Sequence, residues 1–455
     1  MPDLLDPALV KTFAKDKQYL EATQLPIITV SASFKEDVKG FHGLPEDETI
    51  QDVVFSRAHY SMAVGIATQA WGKTMDYKKA WIVDPTNYVA HKDWKSIQLT
   101  EIIGKTLARH RYLKLIKDFA DKFGRNKLPI LDSITPPLLH LTQHIKRPIL
   151  SLHIATGNIL AGLGKIVLQV ITDPHVRYDY LTHAEKPNMY FCVFNDKTKQ
   201  DLLEKATLID KKVDPKRIFV TGPPVDPRII QARQNKKAWR SGPLKLCITT
   251  GGLGTNKDEI LELLTHLLPE LRRRQPDYRL LIYAATHQDI VNEVTELAQK
   301  MRVKVSPITD QRAKLRIAYH PQIVDANELL IKYGFPWADG FMTKPSGDMA
   351  YDAVAAGCFL LTLQEWGEWE YVIREIFETK DISRTAVVDQ IATQLAVLTN
   401  AEGKSQSWVE LAMINAHKID QIDKLFLHGA ENIIQTYHSL EKNSLDILSF
   451  LSRNV

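Results

Sequence analysis

Short apolar runs rich in β-branched residues recur along this chain, each followed by a longer amphipathic stretch, and they fall into two comparable sets. That rhythm marks βαβ units, in which a buried parallel strand reads as a continuous apolar run and its crossover helix carries apolar positions three and four apart. The first set is Ile27–Ser31, Trp81–Asp84, Ile149–His153, Val167–Thr172, Tyr190–Phe194 and Ile218–Thr221. The second is Leu244–Thr249, Leu280–Ala284, Val303–Ser306, Arg316–Tyr319, Gly340–Thr343 and Phe359–Leu363. Two such sets predict an α/β protein with two doubly wound, Rossmann-like sheets. The length of 455 residues agrees, since a single core seldom serves much more than about 300 residues.

Between the sets lies GPPVDPRIIQARQNKKAWRSGP, whose terminal prolines and polar middle suit an inter-domain connection, so a hinge is expected near Pro223–Pro243. The expected division is 1–225 for the first domain, 226–405 for the second, and 406–455 for C-terminal helices that pack back near the first domain. After Asp381 no further strand is legible, and Trp408–Val455 reads as helical.

The bulk numbers exclude several function classes. A balance of 58 basic against 54 acidic residues gives a formal charge of +4, too even for nucleic acid to be the main ligand. Cys192, Cys247 and Cys358 stand singly inside apolar stretches, as buried thiols of a reducing compartment do. The charged opening MPDLLDPALVKTFAKDKQ lacks a signal-peptide core, and Pro148–Thr172 is interrupted by His153, Asn158, Lys165 and Gln169, so a cytoplasmic protein with no spanning helix is expected.

Two strand-to-helix turns carry the chemistry. The strand KLCIT runs into Thr250-Gly251-Gly252-Leu253-Gly254-Thr255 and then a helical stretch. Glycines there let backbone amides approach a phosphate at a helix start. The strand ending at Thr343 meets Lys344-Pro345-Ser346-Gly347, followed by a helix bearing Asp352. A carboxylate so placed accepts hydrogen bonds from ribose hydroxyls. Either turn alone is as often a tight turn as an anion seat; together they describe a cradle for a diphosphate and a ribose. Lys344 reads equally as a phosphate neutraliser or a solvated lysine.

The stretch Thr343–Gly357 resembles the nucleotide-sugar signature of GT-B glycosyltransferases of the lipid-II N-acetylglucosaminyltransferase and monogalactosyldiacylglycerol synthase type. Thr343, Lys344, Pro345, Gly347, Ala353 and Gly357 match its pattern, while Ser346 stands for a glycine, Met349 for a threonine and Asp352 for the ribose-binding glutamate. Arg57-Ala58-His59-Tyr60-Ser61-Met62-Ala63 resembles the Gly-x-Gly-His-x-x-Ala-Ala element after the first strand, keeping the histidine and losing both glycines. VITDPH (Val170–His175) resembles the acceptor-side Val-Thr-Asp-x-x-His segment, VTGPPV (Val220–Val225) the element closing the first domain, and Gly367-Glu368-Trp369-Glu370 the segment contacting donor-sugar hydroxyls.

The resemblance implies the GT-B fold, two domains facing across a cleft, with the acceptor on the first domain and a nucleotide sugar, a uridine-diphosphate sugar, on the second. It implies His59 as the base that deprotonates a hydroxyl acceptor, with Asp173 or His175 as the alternative. It implies donor contacts from Gly251, Gly252, Gly254, Thr255, Lys344, Ser346, Gly347, Asp352 and Glu368, with the base against Pro321–Val324, including Ile323. Transfer with inversion needs no cofactor in this reading. No Asp-x-Asp pair occurs, so helix starts would take a metal's place, and His140 and His144 lack the third ligand of a zinc site. A nucleotide-sugar 2-epimerase and a binding protein that has lost catalysis are the competing readings. The basic stretch Lys105–Lys127 reads as a helix with a solvated charged face, or as a peripheral contact with an anionic membrane carrying a lipid acceptor.

Overall fold

The computed structural model describes residues 10–11, 13–33, 51–90, 129–401, 403 and 405–453. The basic stretch Lys105–Lys127 lies outside them. Fifteen strands occur among the described residues: β1 (Leu25–Ile28), β2 (Ala32–Ser33), β3 (Val53–Val54), β4 (Ala80–Val83), β5 (Ile149–Ser151), β6 (Val167–Val170), β7 (Met189–Val193) and β8 (Ile218–Val220), then β9 (Leu244–Thr249), β10 (Tyr278–Ala285), β11 (Val305–Ser306), β12 (Leu315–Tyr319), β13 (Gly340–Thr343), β14 (Phe359–Thr362) and β15 (Ser383–Thr385).

They build two wholly parallel sheets, ordered β4-β1-β5-β6-β7-β8 and β11-β12-β10-β9-β13-β14-β15. The twelve runs read from the sequence all contribute strands to these sheets, in six and six. Central strands are buried throughout, as Leu25–Ile28 and Phe359–Thr362 are, because helices cover both faces of such sheets. Two Rossmann-like domains facing each other across a cleft result, which is the GT-B architecture.

One expectation is corrected: β15 follows Asp381 and pairs with β14. Its residues Ser-Arg-Thr carry no apolar run because the strand sits at the sheet edge, where polar side chains are tolerated and favoured. β2 and β3, a short antiparallel pair, lie outside both main sheets.

The chain leaves the first sheet through Thr221–Asp226 and returns beside the same point. At Gly222, with φ +89°, an added Cβ would stand 2.1 Å from the Leu425 carbonyl oxygen. The helix Trp408–His417 buries Val409, Ala412 and Met413 in the core of the second domain. The closing helix Gly429–Arg453 packs Ile433, Tyr437 and Leu440 against Met62, Ala63 and Ile66 of the helix Arg57–Trp71. It is pinned to the first domain by Tyr437 Oη–H donating to the Pro148 carbonyl (2.8 Å) and Asn432 Nδ2–H to the Thr221 carbonyl (2.8 Å). Among the described residues no helix is long and apolar enough to cross a membrane.

Candidate active site

In an open parallel sheet, ligands bind beyond the strand C-termini where the winding reverses. In the second sheet the chain passes from β9 to β10, out to β11 at the edge and back to β12 between them, then restarts at β13 on the other side of β9. The reversal falls between β9 and β13, and the segments leaving them are Thr250–Asn256 and Lys344–Asp348, the two turns singled out in the sequence. They touch: a Cβ on Gly251 would lie 2.3 Å from Thr255 Oγ1 and 3.1 Å from Lys344 Cε. Gly254 (φ +70°) and Asn256 (φ +63°) turn the first segment through left-handed backbone before the helix Lys257–Leu267. In the first sheet the reversal lies between β1 and β5, which lead to Val30 and His153.

His59 sits at this first reversal. It is the third residue of the helix Arg57–Trp71, whose N-cap Ser56 accepts a hydrogen bond from the His59 amide. Its Nδ1 lies 3.2 Å from the Val30 carbonyl oxygen, an acceptor only, so Nδ1 carries the proton and Nε2 holds the lone pair. The His153 ring stands edge-on to it, with centroids 5.0 Å apart. Burial, and then the positive charge of Arg177, lower its pKa to about 4, so the ring is neutral at pH 7.

The two domains meet tightly at the reversal points. A cavity of about 120 Å³ lies between them, lined on one side by Phe55–Ala58 and on the other by Thr250–Leu253, Thr255, Lys344, Ser346 and Asp348. It is smaller than the roughly 300–1,000 Å³ typical of small-molecule sites. Two glycines allow this close approach. A Cβ on Gly252 would lie 2.7 Å from the Arg57 backbone nitrogen, and one on Gly347 would lie 2.3 Å from the Thr172 carbonyl oxygen and 2.6 Å from Asp173 Oδ1. Gly347 thus faces the other domain's oxygens in this form.

A buried guanidinium crosses the cleft. Arg57 donates through Nη1 to Asp348 Oδ2 (2.5 Å) and through Nη2 to Asn327 Oδ1 (2.9 Å), with Asp352 Oδ2 at 3.8 Å from Nη2. Burial works against its charge, but Asp348, Tyr283 and Asp352 outweigh that and hold its pKa above the ordinary arginine value. Asp348 also accepts from Ser346 Oγ (2.6 Å); despite burial, Arg57 and Ser346 keep its carboxyl below the usual range. Asp352, the expected ribose ligand, is buried beside this pair, and burial raises its pKa well above the ordinary carboxyl.

The other candidates are placed as follows. Lys344 is neither solvated nor open to a phosphate here: its Nζ lies 2.5 Å from Oε1 of Glu370, which is 0% exposed and also accepts from the Trp366 amide (2.7 Å). Glu368 points outward with a side chain 79% exposed, its Oε2 3.9 Å from His175 Nε2. His175 otherwise packs by Asp201 and Lys205, and burial followed by Lys205 lowers its pKa. Asp173 faces Gly347 across the cleft, and burial raises its carboxyl to about 6 against the opposing pull of Arg177. Ile323, fully buried, donates its amide to Asp52 Oδ2 (2.8 Å), while the Asp52 amide donates to the Pro321 carbonyl (2.9 Å).

The sequence reading therefore missed Arg57, Asp348, Glu370, His153 and Asp52. Arg57, Asp348 and Glu370 each lie inside a motif stretch, one or two residues from a candidate site residue. Asp52 and His153 carry no local signal; only the fold brings them to the site.

No protein-family profile matches the chain, and no curated protein does. Solved structures with a similar course of chain include a glycosyltransferase from Rickettsia africae, 11% identical over 92% of this chain and 98% of that one, with a TM-score of 0.45. MurG of Acinetobacter baumannii is 12% identical over 90% and 99%, with a TM-score of 0.44. A UDP-GlcNAc 2-epimerase from Neisseria meningitidis, bound to UDP-GlcNAc, is 12% identical over 91% and 99%, with a TM-score of 0.45.

Proposed function

We propose that the protein is a glycosyltransferase that moves a sugar from a nucleoside diphosphate, a uridine diphosphate, to a hydroxyl acceptor with inversion, and that His59 is its base. The observation that carries this reading is the His59–Val30 hydrogen bond at the reversal point of the first sheet, which fixes a neutral imidazole with its lone pair on Nε2. The acceptor hydroxyl gives its proton to Nε2 as its oxygen attacks the anomeric carbon. The bond from that carbon to the diphosphate breaks, and the diphosphate leaves with the electron pair. In this reading backbone amides of Gly251–Thr255 stabilise that charge in place of a metal. Negative charge nearby raises the proton affinity of His59, as Asp348 does.

The 2-epimerase reading would require several carboxylates around the sugar. Glu370 is committed to Lys344 and so is withheld from the sugar, which favours transfer. Asp173, whose carboxyl burial raises to about 6, is the second proton acceptor in this reading. A lipid acceptor, of the kind used by the glycosyltransferases that the sequence resembles, fits this reading; sedimentation with anionic vesicles at low salt tests it. The test of the chemistry is a panel of radiolabelled nucleotide sugars. Wild type releases or transfers label from one of them, His59→Gln binds the same nucleotide but does neither, and turnover by His59→Gln would rule His59 out as the base.

A further inference from the structure

We propose that Arg57, from the first domain, is a direct ligand of the donor's diphosphate in the second, with Asp348 as the internal carboxylate it exchanges for phosphate. The inference rests on the nucleotide-sugar reading above and adds to it a charged residue that the motif resemblance does not supply.

Three observations converge. First, Arg57 and Asp348 both line the cavity between the Gly251–Thr255 and Lys344–Asp348 segments, so the ion pair stands where a diphosphate would lie. Second, the cavity's other cation is already matched: Lys344 is held by the fully buried Glu370, whose carboxylate would lose its ion-pair partner if Lys344 turned to phosphate. Arg57 differs, because its partner sits on the opposite domain and separates from it when the cleft opens. Third, the site has unused hydrogen-bonding capacity. Thr255 Oγ1, which lines the same cavity, is buried without a hydrogen-bond partner. Buried orphans of this kind mark a place where a ligand completes the set.

The planar guanidinium suits the exchange, since it binds carboxylate and phosphate oxygens with the same forked geometry. On opening, Arg57 leaves Asp348. On closing over a donor it meets phosphate, where it holds the negative charge that grows as the sugar departs. Asn327 Oδ1, bonded to Nη2 at 2.9 Å, and the Tyr283 ring, 5.9 Å from the guanidinium carbon, hold the side chain at the cleft. Asp348 is then a competitor for the same guanidinium.

The experiment is calorimetric binding of UDP, dTDP, GDP and ADP to the full-length chain, with the tightest-binding nucleotide carried to the variants. Arg57→Gln is expected to lose about 10- to 100-fold in affinity, Arg57→Lys less, and Asp348→Asn to gain affinity. The double variant R57Q/D348N, which keeps a neutral hydrogen-bonded pair in the closed form, separates loss of a ligand from loss of the fold; it is expected to bind as weakly as Arg57→Gln while unfolding cooperatively. Unchanged affinity in the folded R57Q/D348N variant, or Asp348→Asn weakened as much as Arg57→Gln, overturns the proposal and leaves the transferase reading standing. No binding of any of the four nucleotides by wild type overturns both.

Discussion

Gly347→Ala tests whether the two domains close at the place where Gly347 meets Thr172. The added methyl carbon would stand 2.3 Å from the Thr172 carbonyl oxygen, and the buried backbone of Thr172 is not the end of a flexible side chain that can swing aside. Overpacking of this kind costs about 1–3 kcal/mol, and here the cost falls on the closed form alone, since the methyl faces solvent once the domains part. The ratio of closed to open molecules should therefore fall about 5- to 150-fold. Two amides report that ratio directly: Ile323 N–H is bonded to Asp52 Oδ2, and Asp52 N–H to the Pro321 carbonyl, each across the domain boundary. Hydrogen exchange limited by opening should accelerate at both by the same factor, while Leu281, in the middle of β10, keeps its wild-type rate. Gly252→Ala, which would place a methyl 2.7 Å from the Arg57 nitrogen, should do likewise. Unchanged exchange at Ile323 and Asp52 in Gly347→Ala would refute the argument; acceleration at Leu281 as well would show general destabilisation instead.

Three further outcomes follow from the site's electrostatics. His59 is depressed to about 4 in the folded protein from 6.5, so the unfolded chain takes up its proton first and stability falls as pH drops from about 6.5 to 4; His59→Gln removes a loss of about 3 kcal/mol, read as a smaller decline in urea midpoint over that window. Asp173 has the opposite sign: its carboxyl is raised to about 6 from 3.8, so ionising it as pH rises through that interval costs stability. Asp173→Asn should be more stable than wild type at pH 7.5, by about 2 kcal/mol after allowance for partial exposure, and should lose that advantage near pH 3.8; equal stability at pH 7.5 would contradict the assignment. Lys344→Met strands the buried Glu370 with the Trp366 amide and should destabilise by about 3–5 kcal/mol in urea unfolding, most of which K344M/E370Q should recover.

The fold was legible because a buried parallel strand has to be apolar along its whole length. Cys247, Ile248, Phe341 and Leu361 announce their strands regardless of what the helices do, whereas Ser383–Thr385, at an edge, is released from that demand and was passed over. The segments of the candidate site were legible for a similar reason, since strand-to-helix turns built on Gly251–Gly254 and Ser346–Gly347 leave a local trace. What the sequence could not reveal is how charges pair across the cleft. Arg57 and Asp348 are 291 positions apart, and Asp52 and Ile323 are 271 apart, so no spacing rule joins them.

That difference bears on what the substituted motif residues do. Glycines beside a catalytic histidine admit a ligand to the backbone; this chain has Ser56 and Ala58 there, flanking Arg57. Ser56 caps the helix that carries His59, and Arg57 reaches the opposite domain. On the second domain, Ser346 in place of a glycine bonds Asp348 and orients the carboxylate that Arg57 meets. The departures on the two sides are thus coupled through one ion pair. Replacing a single member leaves a buried charge without its counterpart. On this reasoning the substituted residues on the two sides are coupled, and their effects have to be tested in pairs.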